Sequence, residues 1–211
     1  MKKKIILIMQ EVLKKVIVLL CCMSTSFVMS AATTVTFNGT INTDWSTGGN
    51  WSNGTGPSQG DVVVIAAGKK AIIGSAVVSE LSHIELKAGS DLKNNGTLNL
   101  LPTFAKPGLW FENAKFRNDG VLSINMLASP NQYHCIEFKG TAGGKDTLIL
   151  NGSNTFINTV VSGTRYVFYS NMGKQVSIGG TGFTLGSSGS GVNFGLLKFI
   201  GGESSVTFES S

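Results

Sequence analysis

Short runs of alternating apolar and polar residues, separated by turns rich in Gly and Asn, fill most of the chain beyond residue 61. The clearest are two copies of one pattern, Leu92–Leu100 and Phe116–Ile124. Each copy reads apolar, basic, Asn, Asn or Asp, Gly, any residue, Leu, polar, apolar. A fainter third copy, "GKDTLIL", ends at Leu150, at a similar distance beyond Ile124. The alternation predicts short strands with one inward face, and the Asn-x-Gly step predicts a sharp corner with positive φ.

The spacing of these copies favours a solenoid. A repeat of roughly 20 to 26 residues that contains two or three short strands matches one coil of a parallel β-helix, in which corner Asn side chains can stack between coils. An antiparallel β-sandwich is the alternative, because it too has short strands and turns. A sandwich gives no reason for the corner to recur at fixed spacing. We therefore expect an all-β protein, a single-stranded parallel β-helix formed by residues 62–211.

Residues 1–32 have the features of a secretory signal peptide. Lysines precede an apolar run, Val16–Val28, and the small residues Ser30–Ala32 follow it. The run is shorter than the roughly 20 residues that a membrane-spanning helix needs. We expect an exported protein, extracellular, at the cell surface or periplasmic, with no membrane span once the signal is removed. The alternatives are a permanent anchor and a lipoprotein modified at Cys21 or Cys22, although no small residue directly precedes Cys21.

Removal of the signal changes the charge. The whole chain carries a formal net charge of +5, but five lysines and one glutamate lie in residues 1–32, which leaves +1 for the remainder. This balance argues against nucleic acid as a partner. Only Cys135 remains outside the signal peptide, so packing and backbone hydrogen bonds must hold the fold without an internal disulfide.

Two of the three tryptophans, Trp45 and Trp51, lie in a Gly-, Ser- and Asn-rich stretch just before the first predicted strand. The open end of a solenoid exposes apolar surface and free strand edges. We therefore expect residues 33–61 to cap the first coil with these two large side chains. The alternative is a sugar-binding platform, in which the indole rings stack on a sugar and Asn50 and Asp61 supply polar contacts.

The same stretch, "DWSTGGNWSNGTGPSQGDVVVI", carries a resemblance. It is similar to an N-terminal motif of secreted right-handed parallel β-helix proteins, the pectin-lyase-like solenoids of Bacteroidetes-type bacteria. The matching positions are Asp44-Trp45, Asn50-Trp51, Gly54 or Gly56, Pro57, Asp61 and Val62–Ile65. The resemblance implies a fold and a location at the cell surface. It does not imply one function, since adhesins, large surface proteins and enzymes all use such modules. Many relatives are longer and end in a sorting domain, so we also consider a chain truncated at its C-terminus.

Candidate chemistry beyond the cap is sparse. Trp110 lies among apolar residues and is either core or the aromatic of a binding face. The insertion Leu101–Pro107 interrupts the repeat, and such insertions commonly carry contacts. In "SPNQYHCIEFKG", the adjacent His134 and Cys135 should point to opposite faces of a strand, so they cannot act as a catalytic pair.

The titratable residues predict neither a metal nor a cofactor. His83 and His134 are far apart in the chain, and neither has further ligands at metal-binding spacing. The acidic residues within residues 33–146 are scattered singly: Asp44, Asp61, Glu80, Glu85, Asp91, Glu112, Asp119, Glu137 and Asp146. "DTL" at residues 146–148 resembles an O-glycosylation signal of gut Bacteroidetes, which implies modification of Thr147.

These features favour an exported, non-enzymatic β-helix module, acting as a surface structural, adhesive or glycan-contacting element whose partner is a polysaccharide or cell-surface glycan. The alternative is a carbohydrate-active enzyme, of the polysaccharide lyase or glycosidase kind, or its remnant. A hydrolase needs two convergent carboxylates, and a solenoid can align distant acids across its coils. A third hypothesis is a fragment of a larger surface protein.

Overall fold

The computed structural model describes residues 32–102, 106–126, 134–141, 144–158, 163–170, 175–187, 192–199 and 205–209. These residues belong to one compact unit, Ala32–Ser211. The predicted signal peptide lies outside the described residues except for Ala32. Among the described residues, no helix is both long and apolar enough to cross a membrane.

Three parallel sheets form the fold, and from β2 onward successive strands belong to the three sheets in turn. Sheet A contains β1 (Thr34–Phe37), β2 (Val62–Ile65), β5 (His83–Leu86), β8 (Leu109–Glu112), β11 (Ile136–Lys139), β14 (Gly163–Ser170) and β17 (Val192–Phe199). Sheet B contains β3 (Lys70–Ile73), β6 (Asp91–Asn94), β9 (Lys115–Asn118), β12 (Lys145–Leu150), β15 (Gln175–Gly180) and β18 (Ser205–Glu209). Sheet C contains β4 (Val78–Leu81), β7 (Thr97–Leu100), β10 (Val121–Met126), β13 (Ser153–Asn158) and β16 (Thr184–Ser187).

The predicted parallel β-helix is confirmed. From β2 onward, each strand pairs in parallel with the strand three places later, which is the connectivity of stacked three-strand coils. Side chains alternate along the strands, as in Asp91–Asn94, where Leu92 and Asn94 are buried and their neighbours are partly exposed. The inward residues join into one hydrophobic core that runs from coil to coil. No neighbouring pair of these strands is antiparallel, so the β-sandwich alternative is wrong.

The coils lengthen along the chain. Near the cap His83 pairs with Val62, whereas farther along Phe168 pairs with Ile136, which is a wider separation in the sequence. The predicted repeat length therefore holds only for the first coils. The faint third copy of the repeat is also misplaced: it aligns Leu150 with Ile124, whereas in the structure Leu150 pairs with Asn118 and Phe156 lies opposite Ile124. The third copy is 148–156, "LILNGSNTF".

A buried ladder of asparagines joins the corners between sheets B and C. Asn94 Nδ2 donates to Asn118 Oδ1 at 2.6 Å, and Asn118 Nδ2 donates to Asn154 Oδ1 at 2.8 Å. All three side chains are at most 4% exposed. The third asparagine is not at the position equivalent to Asn94 and Asn118, because Leu150 pairs with Asn118 there. Asn154 lies farther along the chain, on β13 of sheet C. The ladder satisfies amide groups that would otherwise be costly to bury.

The corner glycines are needed for a different reason from the one predicted. The Asn-x-Gly step predicts positive φ at Gly96 and Gly120, but neither is among the residues with positive φ. A Cβ atom on Gly120 would instead collide with the carbonyl oxygen of Gly96 in the coil below, and a Cβ on Gly96 with that of Gly74. Close stacking of the corners, and not a left-handed backbone, excludes side chains there.

Candidate functional site

Trp45 and Trp51 lie inside the end of the solenoid. Each side chain is only 4% exposed, and the two rings meet edge to face with centroids 4.7 Å apart. Trp51 packs in the same manner on Phe37 at 5.0 Å, and its Nε1 donates to the Trp45 carbonyl oxygen at 2.7 Å. Edge-to-face contact and a satisfied indole N–H are typical of buried aromatic clusters. The two rings thus close the core.

Asn50 is fully buried at the end of a short 3-10 turn, Gly48–Asn50. Its Oδ1 accepts hydrogen bonds from the backbone N–H groups of Ile41 at 2.9 Å and Asn42 at 3.1 Å. Its Nδ2 donates to Asn42 Oδ1 at 2.7 Å and to the Asp44 carbonyl oxygen at 2.8 Å. The amide is therefore fully used within the cap.

Asp61 fastens the start of the described chain to the first coil. Its Oδ1 accepts from Thr33, from the hydroxyl at 2.6 Å and from the backbone N–H at 3.2 Å. Its Oδ2 accepts from the Ser58 N–H at 2.8 Å. With Trp45, Trp51 and Asn50, this residue holds the cap closed. A sugar contact at these four residues stays a prediction that requires the cap to open.

Trp110 is different, because it points outward from β8 and is half-buried. The register places Glu85 beside it on one neighbouring strand and Glu137 on the other, with Tyr169 in the next position of the same row. The ammonium of Lys139 lies 4.1 Å from the ring centroid, within the range of a cation–π contact. We call this outer surface of sheet A the Trp110 face.

The two carboxylates beside Trp110 lie in opposite electrostatic environments. Glu85 is 3.4 Å from His83 Nε2, 2.7 Å from Lys106 Nζ and 3.0 Å from Lys87 Nζ. These partners, His83 foremost, hold the pKa of the Glu85 carboxyl well below its usual range in spite of burial. Burial raises the pKa of Glu137, which the charge of Lys139 only partly offsets.

His134 and Cys135 lie just before β11, and their side chains have different surroundings. The His134 ring stacks on Tyr169 at a centroid distance of 3.9 Å, whereas Cys135 is fully buried in the core. Burial raises the pKa of the Cys135 thiol, so this sulfur is a poor nucleophile. Their neighbour Tyr133 lies outside the described residues.

The remaining predicted features are spread over the surface. Thr147 is half-buried on the outward row of β12, opposite Lys115 of the preceding coil, and its glycosylation stays a prediction. Of the insertion Leu101–Pro107, residues 103–105 lie outside the described residues. Within the part of the chain that the structure describes, no group of three or more His, Cys, Asp or Glu side chains could hold a metal ion.

The sequence missed the lysines around Trp110. Lys87, Lys106 and Lys139 come from three different segments, and only the strand register brings them to one ring. Only a strand register deduced from the repeat could have predicted that these lysines lie beside Trp110. The irregular coil length hides it, since the coil that leads from Trp110 to Glu137 is longer than the spacing between the two clear copies of the repeat.

Comparison of this chain with family models, with curated proteins and with solved structures gave no match. The resemblance of the N-terminal motif to secreted bacterial solenoids therefore remains a hypothesis based on the quoted residues.

Proposed function

We propose that this protein is an exported β-helix module that contacts a polysaccharide or cell-surface glycan through the Trp110 face, without transforming it. The observation that carries the proposal is the position of Trp110. Of the five predicted binding residues it is the one that is not fully buried, and it lies in a row with Glu85 and Glu137 on the outer side of sheet A.

The chemistry of the Trp110 face suits a sugar. The C–H face of a sugar ring packs on an indole, and its hydroxyl groups can donate to carboxylates and accept from ammonium groups. Lys139 now covers part of the indole, but its side chain is long and flexible and can move aside. Glu85 is held by its cationic partners, so one wall of the site is ordered before the ligand arrives.

A glycan array probed with the full chain and with Trp110→Ala tests the proposal. We expect the wild-type chain to bind a subset of glycans and Trp110→Ala to lose about tenfold or more in affinity, which corresponds to the loss of one stacking contact. Trp110→Phe, which keeps an aromatic ring, should retain part of the binding. Wild-type affinity in Trp110→Ala would show that this face is not the site.

One observation favours an enzyme as the second candidate. Glu85 and Glu137 have pKa values shifted in opposite directions, the pattern expected of a base and an acid. Their strands are two spacings apart, about 9.6 Å, close to the separation of about 6.5–9.5 Å between the carboxyl groups of inverting glycosidases. However, the Glu85 oxygens already contact two lysines, and the Trp110 side chain lies between the two acids.

Measurement of reducing ends separates the two candidates. A module releases none from the glycans that it binds, whereas an enzyme releases them in wild type and loses this activity in Glu137→Gln. Release that depends on Glu137 would replace the proposal with the enzyme.

A further inference from the structure

A second surface, on a different sheet and independent of Trp110, has the character of a binding groove. It lies on the outer side of sheet B, near the cap, and has a volume of about 280 Å³. Strands β3, β6 and β9 form its floor, and Thr43 of the cap also lines it. Four cationic side chains and a single carboxylate line the groove: Lys70, Lys93, Lys115, Arg117 and Asp91. We call it the basic groove.

The strand register sets the cations in two rows. In one row Lys70, Asp91 and Lys115 follow each other on successive coils, and in the other Ile72 precedes Lys93 and Arg117. Adjacent strands are about 4.8 Å apart, so each row repeats over roughly the length of a sugar ring in an extended chain. A linear polymer lying across the strands would meet one cation or hydroxyl acceptor at each coil.

The two rows differ in how much of their charge is free. Asp119, at the corner beyond β9, lies 3.1 Å from Lys93 Nζ and 2.8 Å from Arg117 Nε. Lys70 and Lys115 are exposed, and neither makes an ion pair among the described residues. Their charges are therefore available to an anion, although residues 33–211 as a whole carry a formal net charge of only +1.

We infer that the basic groove binds a sulfated polysaccharide. Lys70 and Lys115 contact sulfate esters, and Asp91 between them accepts hydrogen bonds from the sugar hydroxyls. A ligand that alternates anionic groups with hydroxyl donors matches the order cation, carboxylate, cation along this row. Arg117, whose planar fork would fit a carboxylate, already contacts Asp119, and the free donors are lysines, which act as point charges.

Nucleic acid is the less suitable polyanion. Proteins that bind single strands stack the bases on aromatic side chains, and none of the described residues that line the basic groove is aromatic. Asp91 would also face the continuous line of phosphates along a duplex.

The test is binding of the full chain to a lightly sulfated dextran sulfate, which keeps free hydroxyl groups between its sulfate esters, with unsulfated dextran as the matched neutral polymer and polygalacturonate as the carboxylated one. We expect dextran sulfate to bind, dextran not to bind and polygalacturonate to bind at least tenfold more weakly. The variant Lys70→Gln/Lys115→Gln should lose about tenfold in affinity for dextran sulfate, and its dependence on salt should become shallower. The control Lys69→Gln/Lys145→Gln removes the same charge from exposed positions outside the groove.

Equal losses in the groove variant and in the control would overturn the inference, because net charge alone would then explain binding. Absence of dextran sulfate binding, or equal affinity for polygalacturonate or for a DNA duplex, would overturn it as well. The unfolding midpoints of both variants in urea should match wild type, since the substituted side chains are exposed. Binding of uncharged glycans reports on the Trp110 face, so failure of either proposal is seen separately.

Discussion

Trp51 and Trp110 show two opposite uses of one residue type. Trp51 is 4% exposed, packs on two aromatic rings and donates its N–H to a backbone carbonyl. Trp110 is half-buried on an outward strand position, and its Nε1 has no hydrogen-bond partner among the described residues. Its surroundings are charged, with a lysine ammonium 4.1 Å from the ring.

This contrast indicates where on a solenoid a recognition site can form. The end of the stack needs apolar cover, so aromatic side chains there become core and their polar atoms are satisfied internally. The outer faces of the sheets are not needed for the core, because the alternate residues of each strand supply it. Side chains on those faces are free to meet a ligand.

The largest expected effect is at the cap. Trp51→Ala removes a buried ring that contacts Phe37 and Trp45, and we expect it to lower the free energy of unfolding by about 3–5 kcal/mol. Trp110→Ala should cost less than about 1 kcal/mol, because its ring lies outside the core. Urea unfolding followed by circular dichroism measures both. Equal costs for the two substitutions would remove the distinction between cap and face.

The asparagine ladder gives the next largest effect. Asn118→Ala removes the middle rung and leaves Asn154 Oδ1 without this donor, which should cost about 1–3 kcal/mol. Asn99→Ala is the matched control, because Asn99 lies on the outward row of β7. The same urea experiment measures both variants. If Asn99→Ala lowered the free energy of unfolding as much as Asn118→Ala does, the ladder would make no specific contribution to stability.

Acid should weaken the corner at Asp119. Partial burial acts to raise the pKa of this carboxyl, but hydrogen bonds from Arg117, Asn151 and Lys93 outweigh it and lower the pKa from 3.8 to about 2. A carboxyl whose pKa is lower in the folded state than in the unfolded chain stabilises the folded state at pH values above its ordinary pKa. This contribution is lost as the pH falls from about 4 to 2. Asp119→Asn should cost about 1 kcal/mol at pH 7, after allowance for solvent screening. A cost that persisted undiminished at pH 2 would contradict the assignment.

The smallest effect concerns Glu137. Because burial raises the pKa of this carboxyl, its ionised form is less stable in the folded protein than in the unfolded chain. Glu137→Gln should therefore stabilise the protein slightly at pH 7, by about 0.5 kcal/mol or less, and leave it unchanged near pH 3. Unfolding midpoints at the two pH values check this, and destabilisation at pH 7 would show that the carboxylate is satisfied.

Local patterns in the sequence were enough to predict the solenoid and the corner asparagines Asn94 and Asn118. They could not predict the later coils, because the insertions between strands vary in length and shift the register, as at Leu148. For the same reason the sequence suggested Trp110 as a candidate but did not identify Lys87 or Lys139 beside it. Packing of coil on coil, which no single repeat encodes, brings these groups together.

Fluorescence quenching by acrylamide tests the contrast between cap and face most directly. The variant Trp110→Phe leaves only Trp45 and Trp51, and its emission should be shifted to the blue and quenched weakly compared with wild type. The double variant Trp45→Phe/Trp51→Phe leaves Trp110 and should be quenched most strongly, provided that circular dichroism shows it to be folded. If Trp110→Phe were quenched as strongly as wild type, the cap tryptophans would be open to solvent, which would contradict a closed cap.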